Sequence, residues 1–185
     1  AAGNNLAFRS LASDPPQYVW LLNNDARPER GALEALVAAA EVDPSTAAVG
    51  SVLVAPDGAI EAWGGGAIDF RIGLPRFRRT AGDRLRLDYL VGASVVVRWT
   101  ALAAAGLLDE RYFLYWEDTD LCFRLRASGW RLGVAEDSVV EHEGQASSVF
   151  RSPLWDGEFT ASSVLFFRRH ARHPVLPILV SAGGR

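Results

Sequence analysis

Apolar residues in this chain come in two rhythms. Tyr18-Val19-Trp20-Leu21-Leu22, the stretch from Ala47 to Val54, and Val95-Val96-Val97 are short continuous runs rich in β-formers. Runs of that kind, bounded by turn residues, read as buried strands, here over 18–22, 47–54 and 94–99. Leu121, Cys122 and Leu125 repeat instead at helical spacing, which predicts a helix over 117–128 stopped by Gly129. Asn4 or Asn5 is placed to cap a first helix reaching about Ala12. Pro28 is placed to open a second helix running to about Glu41. A short helix over 100–105, a strand over 130–135 and a helix from Trp155 to Ala171 complete the regular elements. Pro56-Asp57-Gly58 marks a turn, and the Gly- and Arg-rich stretch 59–87 reads as a hairpin followed by a mobile loop. Strands alternating with helices in this way predict an α/β domain.

The densest chemistry lies in Phe113-Leu114-Tyr115-Trp116-Glu117-Asp118-Thr119-Asp120. Three carboxylates enter the first turn of the predicted helix directly behind a run of aromatics. Acids there complement the helix dipole whatever else they do. Tyr115 and Trp116 also suggest a pocket wall, where apolar neighbours raise a carboxylate's pKa toward a working value. Asn23-Asn24-Asp25 follows the first strand, at the end where open α/β sheets gather ligands. A carboxylate in that place binds a hard divalent cation, although Asn-Asn-Asp is equally a good turn. His142 ends the run Val139-Val140-Glu141. Glu141 and Glu143 beside it either orient the imidazole or are solvated. Gly92 and Ala93 precede the strand at 94–99 and leave room for close approach of a sugar or of backbone.

The segment FLYWEDTDLCFRLRASGWRLG, residues 113–133, resembles the C-terminal signature of inverting family 2 glycosyltransferases, particularly their rhamnosyltransferase-like bacterial members. Over most of residues 3–150 the chain is similar to that family. The resemblance implies the C-terminal part of a GT-A (Rossmann-like) mixed-sheet domain with flanking helices, over residues 1–150, and a helical extension over 151–185. It implies Asp118 as general base, with Glu117 holding it or positioning the acceptor. It implies Asp25 and His142 as ligands of Mg²⁺ or Mn²⁺, completed by diphosphate oxygens and water. Asn23 stands where the family's Asp-any-Asp motif has its first Asp, so Asp25 carries most of the electrostatic hold. Gly92 and Ala93 match a segment near the donor sugar, and Asn23 and Trp116 are further substrate-binding candidates. Ala105-Gly106-Leu107-Leu108-Asp109-Glu110 resembles a stretch that enters the acceptor-side loop. Ala2-Gly3-Asn4-Asn5 resembles the family's Gly-Asn-Asn segment, which about two βα units precede in relatives. Those units hold base and ribose, so the chain is expected to carry the metal, acceptor and base half of such an enzyme, and to self-associate at an uncovered edge.

Implied partners are a nucleotide-diphosphate sugar and a glycan or lipid-linked acceptor of cell-wall or surface polysaccharide. A lipid-linked acceptor places the work on the cytoplasmic side, at the inner face of the membrane, with peripheral contact. Two other readings stay open: a non-catalytic binding or scaffold domain of the same fold, favoured by Asn23, and a sugar-phosphate nucleotidylyltransferase, against which the WEDTDLCFR stretch argues.

Composition fits one compact domain: 185 residues, 49% hydrophobic and 22% charged. With 19 basic and 22 acidic residues the net charge is -3, which offers no basic excess for nucleic acid. Local basicity occurs at Arg71, Arg76, Arg78 and Arg79 and again at Arg168, Arg169, His170, Arg172 and His173. Either group faces anionic lipid or a diphosphate, or is solvated. Cys122 is alone, so no internal disulfide forms, and it reads as a small packed residue. Pro174 to Val180 is apolar but shorter than the roughly 18 residues of a membrane span.

Overall fold

The computed structural model describes residues 1–143 and 153–183. In chain order the elements are α1 (Ala2–Leu11), β1 (Tyr18–Leu22), β2 (Ala26–Pro28), α2 (Ala32–Val42), β3 (Thr46–Val54), β4 (Ile60–Trp63), β5 (Gly65–Asp69), β6 (Leu74–Phe77), β7 (Tyr89–Leu90), β8 (Ser94–Arg98), α3 (Trp99–Ala104), α4 (Glu117–Ala127), β9 (Arg131–His142), α5 (Pro153–His170) and α6 (Val175–Gly183). The main sheet is mixed and runs β1-β8-β3-β9-β2, with β4 also paired to β3. Within it β3 and β9 are parallel and the other pairs antiparallel. A small antiparallel sheet, β6-β5-β7, lies beside it.

Both faces of the main sheet are covered, which is why its central strands are apolar without alternation. On β8, Val95 and Val97 join the large core while Val96 joins Leu36 and Ala40 of α2 on the other face. The large core unites Phe8 of α1, Ala101 and Leu102 of α3, Leu121, Cys122 and Leu125 of α4, and Phe166 and Phe167 of α5. Burial lifts the Cys122 thiol to about 12, and its sulfur accepts the Leu90 N–H at 3.3 Å. Beyond α4, Gly129 takes the left-handed φ of 88° expected of a helix stop.

Three expectations change. Neither Asn4 nor Asn5 caps α1, whose N-cap is Ala1. Asn5 is buried instead, and its amide group both donates to the Leu108 carbonyl at 2.8 Å and accepts the Leu108 N–H at 3.0 Å. A buried polar side chain must be paired, and a loop about a hundred residues away supplies the partner. Pro28 opens no helix; it ends β2, at the sheet edge where a missing N–H is tolerated. Helix α2 starts after Gly31, whose φ of 87° makes the turn. The expected strand over 130–135 and the run before His142 are one twelve-residue strand, β9. Its register on β3 jumps from Ser51↔Ala135 to Val52↔Val139, so Glu136, Asp137 and Ser138 bulge out of the ladder. Those polar residues hid the continuity. The apolar tail lies in a helix, α6. The boundary expected at residue 150 lies outside the described residues.

Candidate functional site

Helix α4 begins abruptly. Tyr115 and Trp116, immediately before it, both have left-handed backbones, with φ of 65° and 70°. That conformation costs a non-glycine residue roughly 1–2 kcal/mol. Packing offsets the cost: the Trp116 indole is buried against Phe159, Phe166 and Phe167 of α5. The turn drives Glu117 and Asp118 out of the helix start toward the loop ahead of β8.

There Asp118 is held by both oxygens. The Gly92 N–H donates to Oδ2 at 2.8 Å, while the Thr119 N–H and hydroxyl donate to Oδ1 at 2.6 and 3.1 Å. The approach is close: a Cβ added to Gly92 would stand 3.0 Å from Oδ2, so the carboxylate would have to shift to admit it. Burial raises the Asp118 carboxyl above its ordinary range and these hydrogen bonds oppose the rise. Glu117 is pushed up to about 7, first by burial and then by the charge of Asp118. Its Oε2 is buried without a hydrogen-bond partner among the described residues.

A pH consequence follows from Glu117. A carboxyl that holds its proton more tightly folded than unfolded costs stability as pH rises from its ordinary value of 4.5 to about 7. Glu117→Gln cannot ionise and escapes that loss. Urea unfolding of both proteins at about pH 5 and about pH 8 checks this, the expected result being a variant whose relative stability is greater at the higher pH. A relative stability independent of pH contradicts the shift.

The second half of the site is built by strand pairing. Asn23 forms the turn the sequence allowed, its carbonyl accepting the Ala26 N–H at 3.1 Å. Beyond the turn β2 pairs with β9 in the register Ala26↔His142, which sets Asp25 beside the imidazole. Asp25 Oδ1 lies 3.6 Å from His142 Nε2 and is buried with no hydrogen-bond partner among the described residues. On the far side of the ring Glu61 Oε2 is 3.2 Å from His142 Nδ1. A proton on Nδ1 would be donated to Glu61 and would leave the Nε2 lone pair free beside Asp25. That is the arrangement in which a histidine is oriented for a metal by a carboxylate behind it. Glu141 and Glu143 do not take this role; both pair with Arg27, at 3.3 and 2.6 Å.

Glu61 carried no signal in the sequence, standing in the Gly- and Arg-rich stretch. It reaches His142 because β4 and β9 flank the same end of β3. Among the described residues no three His, Cys, Asp or Glu side chains converge into a ready-made metal cage. The orphaned Asp25 oxygen and the Nε2 lone pair fit a cation that takes its remaining ligands from elsewhere.

A cavity of about 680 Å³ joins the two halves. Its lining includes Asn23, Gly92, Ala93, Trp116, Glu117, Asp118 and His142. Of the expected site residues, Asp25 alone does not line it among the described residues. Ala93 is largely absorbed in a small core cluster with Leu53 and Val140. Asn4 also lines the cavity, as do Phe77, Tyr115 and Phe159. The resemblance of Gly3-Asn4-Asn5 pointed to the first, and the aromatic run before Glu117 pointed to Tyr115; Phe77 on β6 and Phe159 on α5 lie on separate elements and could not be grouped with it from spacing. A second cavity of about 450 Å³ meets the first at Phe77, Val91 and His142 and carries Glu61 and Arg79.

The third carboxylate of the motif has a different task. Asp120 is fully buried and accepts from Tyr112 Oη (3.2 Å), Arg124 Nε (2.7 Å), Arg169 Nη1 (3.3 Å) and His170 Nε2 (2.8 Å). Burial raises its carboxyl, but the His170 and Arg124 hydrogen bonds and nearby arginine charges outweigh that and the net shift is downward. It ties α4 to the end of α5, so part of the basic cluster near the C-terminus is turned inward.

The sequence pattern of Glycosyl transferase family group 2 matches residues 18–172. The chain belongs to that family. Among relatives of the family group 2 chain, an N-acetylglucosaminyl-diphospho-decaprenol L-rhamnosyltransferase of Mycobacterium tuberculosis is 31% identical over 154 residues, covering 74% of this chain and 50% of its own. A pre-mycofactocin glycosyltransferase of the same organism is 26% identical over 189 residues, covering 99% and 38%. The chain thus spans half or less of the length of these relatives. The fold is similar to those of the mannosyltransferase PcManGT from Pyrobaculum calidifontis in complex with GDP-Man and Mn²⁺ (18% identity, TM-score 0.58, 96% of this chain and 46% of that one) and of GalNAc-T7 with UDP, GalNAc and Mn²⁺ (15%, 0.57, 75% and 29%). The mixed sheet with flanking helices is therefore the α/β GT-A fold.

Proposed function

We propose that this domain carries the base, acceptor and metal side of an inverting glycosyltransferase that moves a sugar from a nucleotide diphosphate to a lipid-linked or glycan acceptor of cell-wall or surface polysaccharide. The observation that carries the reading is the shared cavity: the Asp118 carboxylate and the His142 imidazole open into one space large enough for a sugar. The rhamnosyltransferase relative, named for a diphospho-decaprenol, favours an acceptor on a lipid.

In the proposed reaction the acceptor hydroxyl loses its proton to Asp118 as its oxygen bonds to the anomeric carbon. The bond from that carbon to the diphosphate breaks on the opposite face, so configuration inverts. The hydrogen bonds from Gly92 and Thr119 fix the carboxylate's direction, which is where positioning contributes to rate. Buried walls around Glu117 and Asp118 hold a proton more tightly than water does, bringing the base nearer to neutral working pH. Asp25 and His142 would hold the divalent cation, Mg²⁺ or Mn²⁺, with Glu61 orienting the imidazole; bound there, the ion supplies charge neutralisation to the leaving diphosphate.

The test is transfer by the protein with a panel of nucleotide sugars and a short-chain lipid-diphosphate acceptor, followed by NMR of the new anomeric centre. Inverted product supports the reading; retained configuration, or nucleotide release with no acceptor product, contradicts it. The metal assignment has its own expected outcome. Asp25→Ala and His142→Ala weaken Mn²⁺ binding by about 10–100-fold or more, and Glu61→Gln by a smaller factor at the lower end of that range. Titration calorimetry with Mn²⁺ and nucleoside diphosphate reads this directly, and unchanged affinity in all three variants places the metal elsewhere.

A further inference from the structure

Helix α6 turns an apolar face outward. Val175, Leu176 and Leu179 are 69%, 58% and 64% exposed, while Pro177 and Ser181 face inward. The turn of the β5–β6 hairpin abuts this helix: a Cβ added to Gly73 would come within 2.2 Å of the Pro177 carbonyl oxygen. Either side of Gly73, Ile72 and Leu74 are also exposed, so helix and hairpin tip present large apolar side chains on adjoining elements. Single exposed leucines are ordinary, but a cluster of this kind marks an interaction surface. Basic residues outnumber acids at its border: Arg71 on the hairpin and Arg172 and His173 before α6 are exposed and make no ion pair among the described residues, against the half-buried Asp69 at the hairpin turn, in a chain of net charge -3. Leu74 and its neighbour Pro75 also line the cavity that holds Asp118, so the surface runs to the mouth of the site. Among the described residues no helix is long and apolar enough to cross a membrane.

We propose that the outer face of α6 and the tip of the β5–β6 hairpin seat on an anionic bilayer, the membrane that carries the acceptor. This rests on the proposed lipid-linked acceptor. Apolar side chains enter the headgroup boundary and the flanking arginines meet anionic headgroups, as for interfacial helices generally. A sugar diphosphate projecting from the bilayer then reaches the cavity past Leu74. A second copy of the chain fits the surface worse, because a twofold contact would set these arginines against their own counterparts.

The test uses the full protein and sedimentation with vesicles of phosphatidylcholine alone or with about 30% phosphatidylglycerol. Wild type partitions onto the anionic vesicles about tenfold or more tightly than onto neutral ones. The double variant Leu176→Glu/Leu179→Glu loses about tenfold or more of that binding, and Arg172→Glu loses the preference for anionic lipid. Helical circular dichroism and transfer to a short-chain, water-soluble acceptor remain as in wild type. Equal binding to both vesicle types, no vesicle binding, or wild-type binding by the double variant overturns the proposal. So does a dimer that the same substitutions dissociate. Vesicle binding that survives with no transfer to the short-chain acceptor leaves the surface standing and refutes the enzymatic reading instead.

Discussion

Replacing Asp118 with Asn lowers the rate of sugar transfer by about 10²–10⁴-fold, the range for loss of a general base. The substitution keeps size and shape, and its side-chain oxygen still accepts from the Gly92 N–H or from Thr119. What it removes is the capacity to take a proton. The loss therefore falls on kcat, with donor affinity and thermal midpoint close to wild type, and single-turnover kinetics with calorimetric donor binding separate the two. Transfer near the wild-type rate excludes Asp118 as the base. A fall in donor affinity equal to the fall in rate makes it a binding residue instead.

The second large effect belongs to Asp120, two residues away, and it is on stability. Asp120→Ala removes the fully buried carboxylate that Arg124 and the ring of His170, both mostly buried, pair with, and leaves Arg124 only the Ala105 and Leu107 carbonyls. Breaking a buried charge pair by deleting one partner costs about 3–5 kcal/mol. Because Asp120 links α4 to α5, the loss also loosens the wall formed by Trp116 against Phe159, Phe166 and Phe167. Urea unfolding with a near-UV aromatic signal reports both. A cost below about 1 kcal/mol means the network is a surface arrangement that solvent replaces.

These neighbouring acids show what a sequence conveys and what it withholds. Helix α4, β3 and β8 were legible because each is either almost wholly buried or repeats at helical spacing, and β1 was legible from its continuous apolar run, although its side chains are mostly half-buried rather than buried as expected. The grouping of Glu117, Asp118 and Trp116 at one helix start was legible for the same reason. Asp120 looked like a third member of that group, and two positions along the helix change its direction from cavity to core. Strand β2 was hidden by Pro28, which suits a helix start and a sheet edge equally. Strand β9 was hidden by its own bulge, whose polar residues break the apolar pattern without breaking the strand. Glu61 was invisible for a deeper reason. Its meeting with His142, 81 positions away, is set by the register of β4 and β9 on β3, and no local pattern encodes that pairing. Asn5 is the same case: a polar residue at a helix start reads as a cap until a distant loop claims its amide.

The burial of Cys122 has a practical side. A thiol lifted to about 12 and wrapped in core carries almost no thiolate at neutral pH, so it is a poor nucleophile as well as an inaccessible one. The sequence has no other cysteine. This 185-residue chain is therefore already a blank background for maleimide chemistry. A spin label or fluorophore can be installed through one new cysteine at an exposed position such as Val175, with no prior deletion of native sulfur and none of the packing defects that such a deletion would leave in the core.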